Sequence, residues 1–191
     1  MDFRNKEKIY ILIIILLLGA CGQFWYSYKY LPTEERNIKV YYNQDKELNK
    51  ELIKLIQDAD KYVYFAVYTF TRQDLKDALL AAKYRGLEVK GVMDKKQSND
   101  IEQQRKNIKE LREAHIPIYE QDHSAIMHLK TLVTEKAYAS GSYNWTAAAT
   151  NLNDEVLEIG QDEQIRKKYL GVLEKLFYRY GKNIQNNKIT K

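Results

Sequence analysis

The chain has 191 residues and a formal net charge of +5, a length that suits one domain with an appendage. Its single cysteine, Cys21, excludes an internal disulfide and a thiolate metal cluster. The three histidines, His115, His123 and His128, show no zinc spacing, so no metal and no cofactor is expected.

Met1 to Lys8 is short and basic, and Ile9 to Ala20 is almost purely apolar. The strict apolar run is shorter than the ~20 residues of a spanning helix. Continued through Cys21, Gly22 and Phe24-Trp25-Tyr26 it reaches that length, with aromatics at the interface level. Residues 1–30 therefore read as an N-terminal membrane anchor or signal segment, leaving 31–191 as the domain. Leu18-Gly19-Ala20-Cys21 also has the form of a bacterial lipoprotein cleavage site, which would make Cys21 a lipidated N-terminus. Both readings tether the domain to a membrane, and Arg4, Lys6 and Lys8 on the inner side put it on the outer, periplasmic or extracellular, face. Residues 1–30 carry a net charge of +2, from Arg4, Lys6, Lys8 and Lys29 against Asp2 and Glu7. The remaining +3 is a mildly basic balance, compatible with polyanions or anionic lipid heads.

After a polar tether containing Pro32, Ile38 to Tyr42 reads as a strand and Asp45 to Asp60 as a helix with apolar residues at helical spacing. Lys61 to Phe70, β-branched and aromatic throughout, predicts a buried central strand in which Tyr62, Tyr64 and Tyr68 alternate toward the core. Thr71, with Asp74 three residues on, predicts the cap of a helix over 73–85 that ends at Gly86. Leu87 to Met93 is a strand closed by the polar loop Asp94-Lys95-Lys96, then come a charged helix over 99–114 and a short strand over 116–119. His115 sits where a histidine meets a helix dipole, and His123 lies in a solvated loop. Beyond residue 126 the pattern gives two motif strands, a short helix near 147–150, a strand over 156–159 and an amphipathic helix over 162–180. Strands alternating with helices make this an α/β domain, with a mixed sheet because the motif strands form an antiparallel hairpin.

The chemistry concentrates in Ile126 to Glu155. His128 and Lys130 are two apart on an apolar, β-branched run, Met127 to Thr134, which would project them from one strand face. Glu135-Lys136 turns the chain, and Ala137 to Ser140 returns. Gly141 permits close backbone approach, while Ser142 and Asn144 set neutral polar groups beside the basic pair. A neutral histidine can attack phosphorus while a lysine and nearby donors hold the charged oxygens. A carboxylate is needed to orient the imidazole, and Glu155 is the candidate.

In this order and spacing, H-x-K-x4-E followed by G-S-x-N resembles the HKD signature of the phospholipase D superfamily, H-x-K-x4-D followed by G-S-x-x-N or G-S-x-N. The likeness covers roughly residues 36–180 and is greatest to the small single-motif members, the bacterial endonucleases and their mitochondrial relatives. It implies a phospholipase D/nuclease-like fold, with His128 as nucleophile, Lys130, Ser142 and Asn144 holding the phosphate, and Glu155 bracing the histidine. Glu135 departs from the family's aspartate and the hairpin is one residue short, so Glu135 is expected to support the turn. Trp145 is a candidate to stack a base or line a lipid groove, with core packing the competing reading. The expected activity is a metal-independent endonuclease acting through a phosphohistidine. The alternatives are a phospholipase D cleaving phospholipid head groups, or an inactive tethered binding protein. One imidazole cannot serve as nucleophile and general acid at once, so a single motif implies a homodimer with a shared active site.

Overall fold

In the computed structural model the described residues are 3–29, 37–45, 47–121 and 123–189. They fall into two units, Met1–Arg36 and Asn37–Lys191. The first holds helix α1 (Phe3–Lys29). Its described apolar side chains, from Leu12 to Leu18 and from Phe24 to Tyr26, are exposed. Among the described residues no helix is long and apolar enough to cross a membrane.

The second unit runs β1 (Ile38–Tyr42), α2 (Leu48–Gln57), β2 (Tyr62–Val67), α3 (Gln73–Tyr84), β3 (Glu88–Met93), α4 (Lys95–Asp100), α5 (Glu102–Glu113) and β4 (Ile118–Glu120). It continues with β5 (Lys130–Thr134), β6 (Tyr138–Gly141), α6 (Ala147–Asn151), β7 (Val156–Gly160) and α7 (Glu163–Ile189). The strands form one seven-stranded sheet in the order β1-β7-β6-β5-β2-β3-β4. β2, β3 and β4 are parallel neighbours, and the other pairs are antiparallel, so the sheet is mixed as the hairpin predicts.

The period-two alternation of β2 divides the core between the two faces. Val63, Phe65 and Val67 pack with Leu52 and Ile56 of α2, Leu75 and Leu79 of α3 and Leu111 of α5. Tyr62, Tyr64 and Ala66 point the other way, to Leu173, Leu176 and Phe177 of α7. Helices thus cover both sheet faces, the layering that parallel strands require. Tyr62 and Tyr64 stack at 4.6 Å, and Phe177 meets Tyr64 edge-on at 5.4 Å, so both tyrosines are half-buried under α7.

Several local expectations change. Thr71 does not cap α3: the cap position is Arg72, without a side-chain bond to the helix, and Asp74 instead receives Asn49 Nδ2 at 2.8 Å and Arg72 Nε at 2.8 Å. Asp74 is taken up by Asn49, 25 residues away, and by its neighbour Arg72, so it forms no capping box with Thr71. The charged helix predicted over 99–114 is two helices, α4 and α5, broken at Ile101, whose backbone is extended. Asp94 starts the first of them by accepting the Gln97 N–H at 2.9 Å. Gly86, at φ +91, ends α3 in the left-handed conformation, as expected. The motif strand begins at Lys130 rather than Met127, so His128 lies on the segment that enters it.

Candidate active site

Antiparallel pairing of β5 with β2 sets Lys130 opposite Val67, at the end where β2 finishes. β6 leaves the sheet at that same end with Gly141, and β7 enters it at Val156 beside Tyr42 of β1. His128, Lys130, Ser142, Asn144 and Glu155 are therefore gathered at one end of the sheet, near the chain crossings where α/β sheets hold ligands. Gly141 is needed there for contact: a Cβ on it would stand 2.2 Å from the Val156 carbonyl oxygen, so any larger residue would part β6 from β7.

Lys130 is buried, with 7% of its surface exposed. Its ammonium donates to the His128 carbonyl oxygen at 2.9 Å and lies 5.2 Å from the centre of the Tyr68 ring. Among the described residues no carboxylate lies within ion-pair distance of it. Burial lowers the lysine's pKa, and the negative charge of Glu155 works against that fall. The His128 imidazole is exposed, and its ring meets the Tyr68 ring at 4.8 Å and 63°. Histidine and lysine thus stand beside each other around one tyrosine, though not as neighbours on a strand face.

Glu155 is buried and firmly held. Its carboxylate accepts from the Ser142 hydroxyl and from Asn153 Nδ2 at 3.1 Å. Its backbone is clamped to Asn43, whose Oδ1 accepts the Glu155 N–H at 3.0 Å and whose N–H donates to the Glu155 carbonyl at 3.1 Å. The carboxylate that was expected to orient His128 is therefore bonded to Ser142 and Asn153, not to the imidazole. Ser142 Oγ also accepts the Val156 N–H at 3.1 Å. Asn144 accepts the Thr69 N–H on its carbonyl oxygen at 3.3 Å, which leaves its amide N–H groups as donors.

The other candidates are distributed away from this cluster. Glu135 accepts the N–H groups of Asp60 at 2.8 Å and Lys61 at 3.2 Å, across the entry to β2, so it fastens the hairpin turn. Trp145 is 2% exposed and packs at 5.3 Å from Phe65 and 5.0 Å from Phe70. It is a core residue, and the substrate-stacking reading is corrected. Asp94 is fully buried and accepts Gln121 Nε2 at 2.6 Å and the Met127 N–H at 2.9 Å, so it fixes the chain one residue before His128. Asp94, Lys95, Lys96 and His123 line a cavity of about 260 Å³ beside that segment. His123 is not fully solvated: its Nε2 meets the Tyr180 hydroxyl at 3.0 Å. His115 sits just past the end of α5 at φ 59, exposed.

Thr69, Asn43 and Asn153 carry no role in the sequence reading, and Tyr68 carries only that of a core residue. Tyr68 and Thr69 follow β2 at the end of the sheet where ligands gather, which is the one signal that could have drawn attention to them. Asn43 stands 112 residues from Glu155 and carries no such signal.

Comparison with known proteins identifies the family and the fold. The family described as cardiolipin synthase, PLD-like domain, matches residues 52–177. A phospholipase D of Rickettsia typhi is 26% identical over 71% of this chain and 65% of its own length. A mitochondrial cardiolipin hydrolase of Xenopus tropicalis is 31% identical over 68% of this chain and 60% of its own. The chain thus matches just under two-thirds of those relatives' length. The fold is shared with Nuc of Salmonella typhimurium, a phospholipase D family member, at a TM-score of 0.71 and 24% identity over 76% of this chain and 96% of that one. NucT from Helicobacter pylori superposes at a TM-score of 0.66 and 24% identity, over 74% of this chain and 97% of that one. The motif, the sheet that presents it and the matched span agree: this chain belongs to the phospholipase D superfamily of phosphodiester hydrolases.

Proposed function

We propose that this protein is a phosphodiesterase that works through a covalent phosphohistidine on His128. The observation that carries this reading is an exposed imidazole beside a buried ammonium that no described carboxylate pairs with. An imidazole nitrogen attacks phosphorus, the bond to the leaving oxygen breaks, and that oxygen takes a proton from a general acid. Water then cleaves the phosphorus–nitrogen bond and frees the imidazole. Lys130 and Asn144 hold the non-bridging oxygens as charge builds on them, and Ser142 joins them by turning its hydroxyl from Glu155 to the phosphate. Because these donors supply the electrostatic stabilisation, activity in EDTA is expected. Wild-type protein incubated in EDTA with a labelled diester should trap an acid-labile phosphoryl group, and His128→Ala should trap none while unfolding at the same temperature. Activity that EDTA removes and magnesium restores would overturn the reading.

Nucleic acid is the first substrate class, supported by the basic balance of the domain and by a site that opens at a sheet end. A phospholipid head group is the second. Ile126, Leu129, Leu152 and Val156 leave exposed apolar surface around that end, and the relatives at 26% and 31% identity carry phospholipase and cardiolipin hydrolase names. Single- and double-stranded DNA, RNA, phosphatidylcholine and cardiolipin, offered to the same preparation, separate the two.

The general acid is the His128 of a second copy in a two-fold dimer whose motifs face one cleft. Mixing His128→Ala subunits with wild type should cost more activity than the mutant fraction alone. Strict proportionality would mean independent monomers. Attachment to a membrane through residues 1–30, with the domain on the outer face, accounts for the exposed apolar side chains of α1. Cys21→Ser removes an acyl chain from a lipoprotein and leaves a spanning helix indifferent. Recovery of the full chain in the cytosolic fraction would defeat both.

A further inference from the structure

We infer that Tyr68 is a positioning residue of this site, its ring being the surface that holds the Lys130 ammonium and the His128 imidazole in their mutual arrangement. The inference rests on the phosphohistidine reading and adds to it a residue outside the motif.

Lys130 needs something to keep its charge in a buried place. A carboxylate in contact would do so by neutralising it, and would then compete with a phosphate. An aromatic face attracts the cation without cancelling its charge. The Tyr68 ring centre, 5.2 Å from the ammonium, supplies that face. His128 is the complementary case: its imidazole is exposed and has no hydrogen-bond partner among the described residues, so its contact with the Tyr68 ring at 4.8 Å is what limits its rotation.

The tyrosine is itself immobilised. Its N–H donates at 2.9 Å to the carbonyl of Leu129, the residue between the histidine and the lysine. Two fully buried amides of α5 grip the next turn: Gln104 accepts the Phe70 N–H at 2.8 Å, and Asn107 donates to the Phe70 carbonyl at 3.2 Å. Thr69, the neighbouring residue, holds Asn144 at 3.3 Å. The pair Tyr68-Thr69 therefore touches three of the residues that the motif contributes. The charged and titratable groups around Lys130 are His128 from the entry to β5, Tyr68 from the end of β2 and Glu155 from the entry to β7.

The test compares Tyr68→Phe with Tyr68→Leu in the full chain, measuring kcat and KM against pH together with an NMR titration of the Lys130 ammonium. Without the ring the charged lysine loses support, so its pKa falls and the neutral form prevails at lower pH. Tyr68→Leu should lower kcat about three- to thirtyfold and move the alkaline limb down by about 0.4 to 1.5 pH units. Tyr68→Phe, which keeps the face, should keep both within twofold of wild type. Where Leu prevents folding, Tyr68→Met serves as the ring-free variant. An unchanged alkaline limb and an unchanged lysine titration in the ring-free protein would overturn the inference. So would a loss in Tyr68→Phe as large as in Tyr68→Leu, which would assign the effect to the hydroxyl. If His128→Ala retains wild-type turnover, the phosphohistidine reading is what has failed, and the lysine titration then reports on the ring contact alone.

Discussion

At the turn joining β5 to β6, the polar groups are occupied by the protein itself. Glu135 takes three backbone N–H groups, Thr134 Oγ1 accepts the N–H groups of Lys136 at 3.2 Å and Ala137 at 3.1 Å, and Lys136 pairs with Asp60 at 2.5 Å. At the other end of the same hairpin a lysine of the same chemistry is buried with no carboxylate paired to it among the described residues, and a histidine stands exposed beside it. Residue type does not separate the two ends. What separates them is whether donors and charges are already spent on the fold, and groups left unspent in a preorganised place are those that can act on a substrate.

The largest expected effect tests that distinction directly. Lys130→Met should lower kcat by about a hundred- to thousandfold, the scale of losing one transition-state donor. Its thermal unfolding midpoint should stay level or rise, since a buried ammonium without a carboxylate partner disfavours the fold. A fall of several degrees would show that this lysine is also spent on stability, and the contrast between the ends would collapse.

Glu155→Gln should have the next largest effect, about ten- to hundredfold in kcat with little change in KM, from losing the charge in its bonds to Ser142 and Asn153. Burial already lowers the Lys130 pKa, and the Glu155 charge opposes that fall. Removing the charge should let the pKa drop further, so the alkaline limb of the rate profile should move to lower pH. A limb that stays in place would remove Glu155 from the electrostatics of the site.

Glu135→Gln should change kcat least and stability most clearly, by about 1–3 kcal/mol. Burial raises the Glu135 pKa, but the N–H groups of Asp60, Lys61 and Tyr62 outweigh it and hold the carboxyl below its usual range. A depressed carboxyl pKa stabilises the fold above the ordinary glutamate value and loses that contribution as pH falls through the folded value. The stability gap between wild type and Glu135→Gln should therefore close on acidification below about pH 4. A large fall in turnover at unchanged stability would instead make Glu135 part of the chemistry.

The hairpin and the mixed sheet were legible because each rests on a local pattern, period-two alternation and a turn; the spacing of two drew attention to His128 and Lys130, although His128 lies before the strand. The errors arose where distant partners decide. The strand was read as starting at Met127, but the Met127 N–H is claimed by Asp94, 33 residues away, and pairing with β2 begins only at Lys130. Thr71 has the form of a cap, yet Asp74 is drawn off to Asn49, 25 residues away, as well as to its neighbour Arg72. Tyr68 belonged to an alternating aromatic strand by pattern, but β2 ends at Val67 and frees the ring for the site. Trp145 stands beside Asn144 in sequence, and only the aromatic neighbours Phe65 and Phe70 decide that it turns inward.

The clamp of Asn43 on Glu155 also carries a consequence for the order of events during synthesis. Asn43 follows the first strand of the domain, Glu155 precedes the last, and the two strands lie side by side. The first strand must therefore wait at the sheet edge until nearly the whole domain has been made, a contact of high sequence separation that closes late. The acid cannot be seated before then. A nascent chain at the ribosome would carry Lys130 on β5 already paired with β2, and His128 just before it, yet hold no complete site until the finished domain has closed its edge.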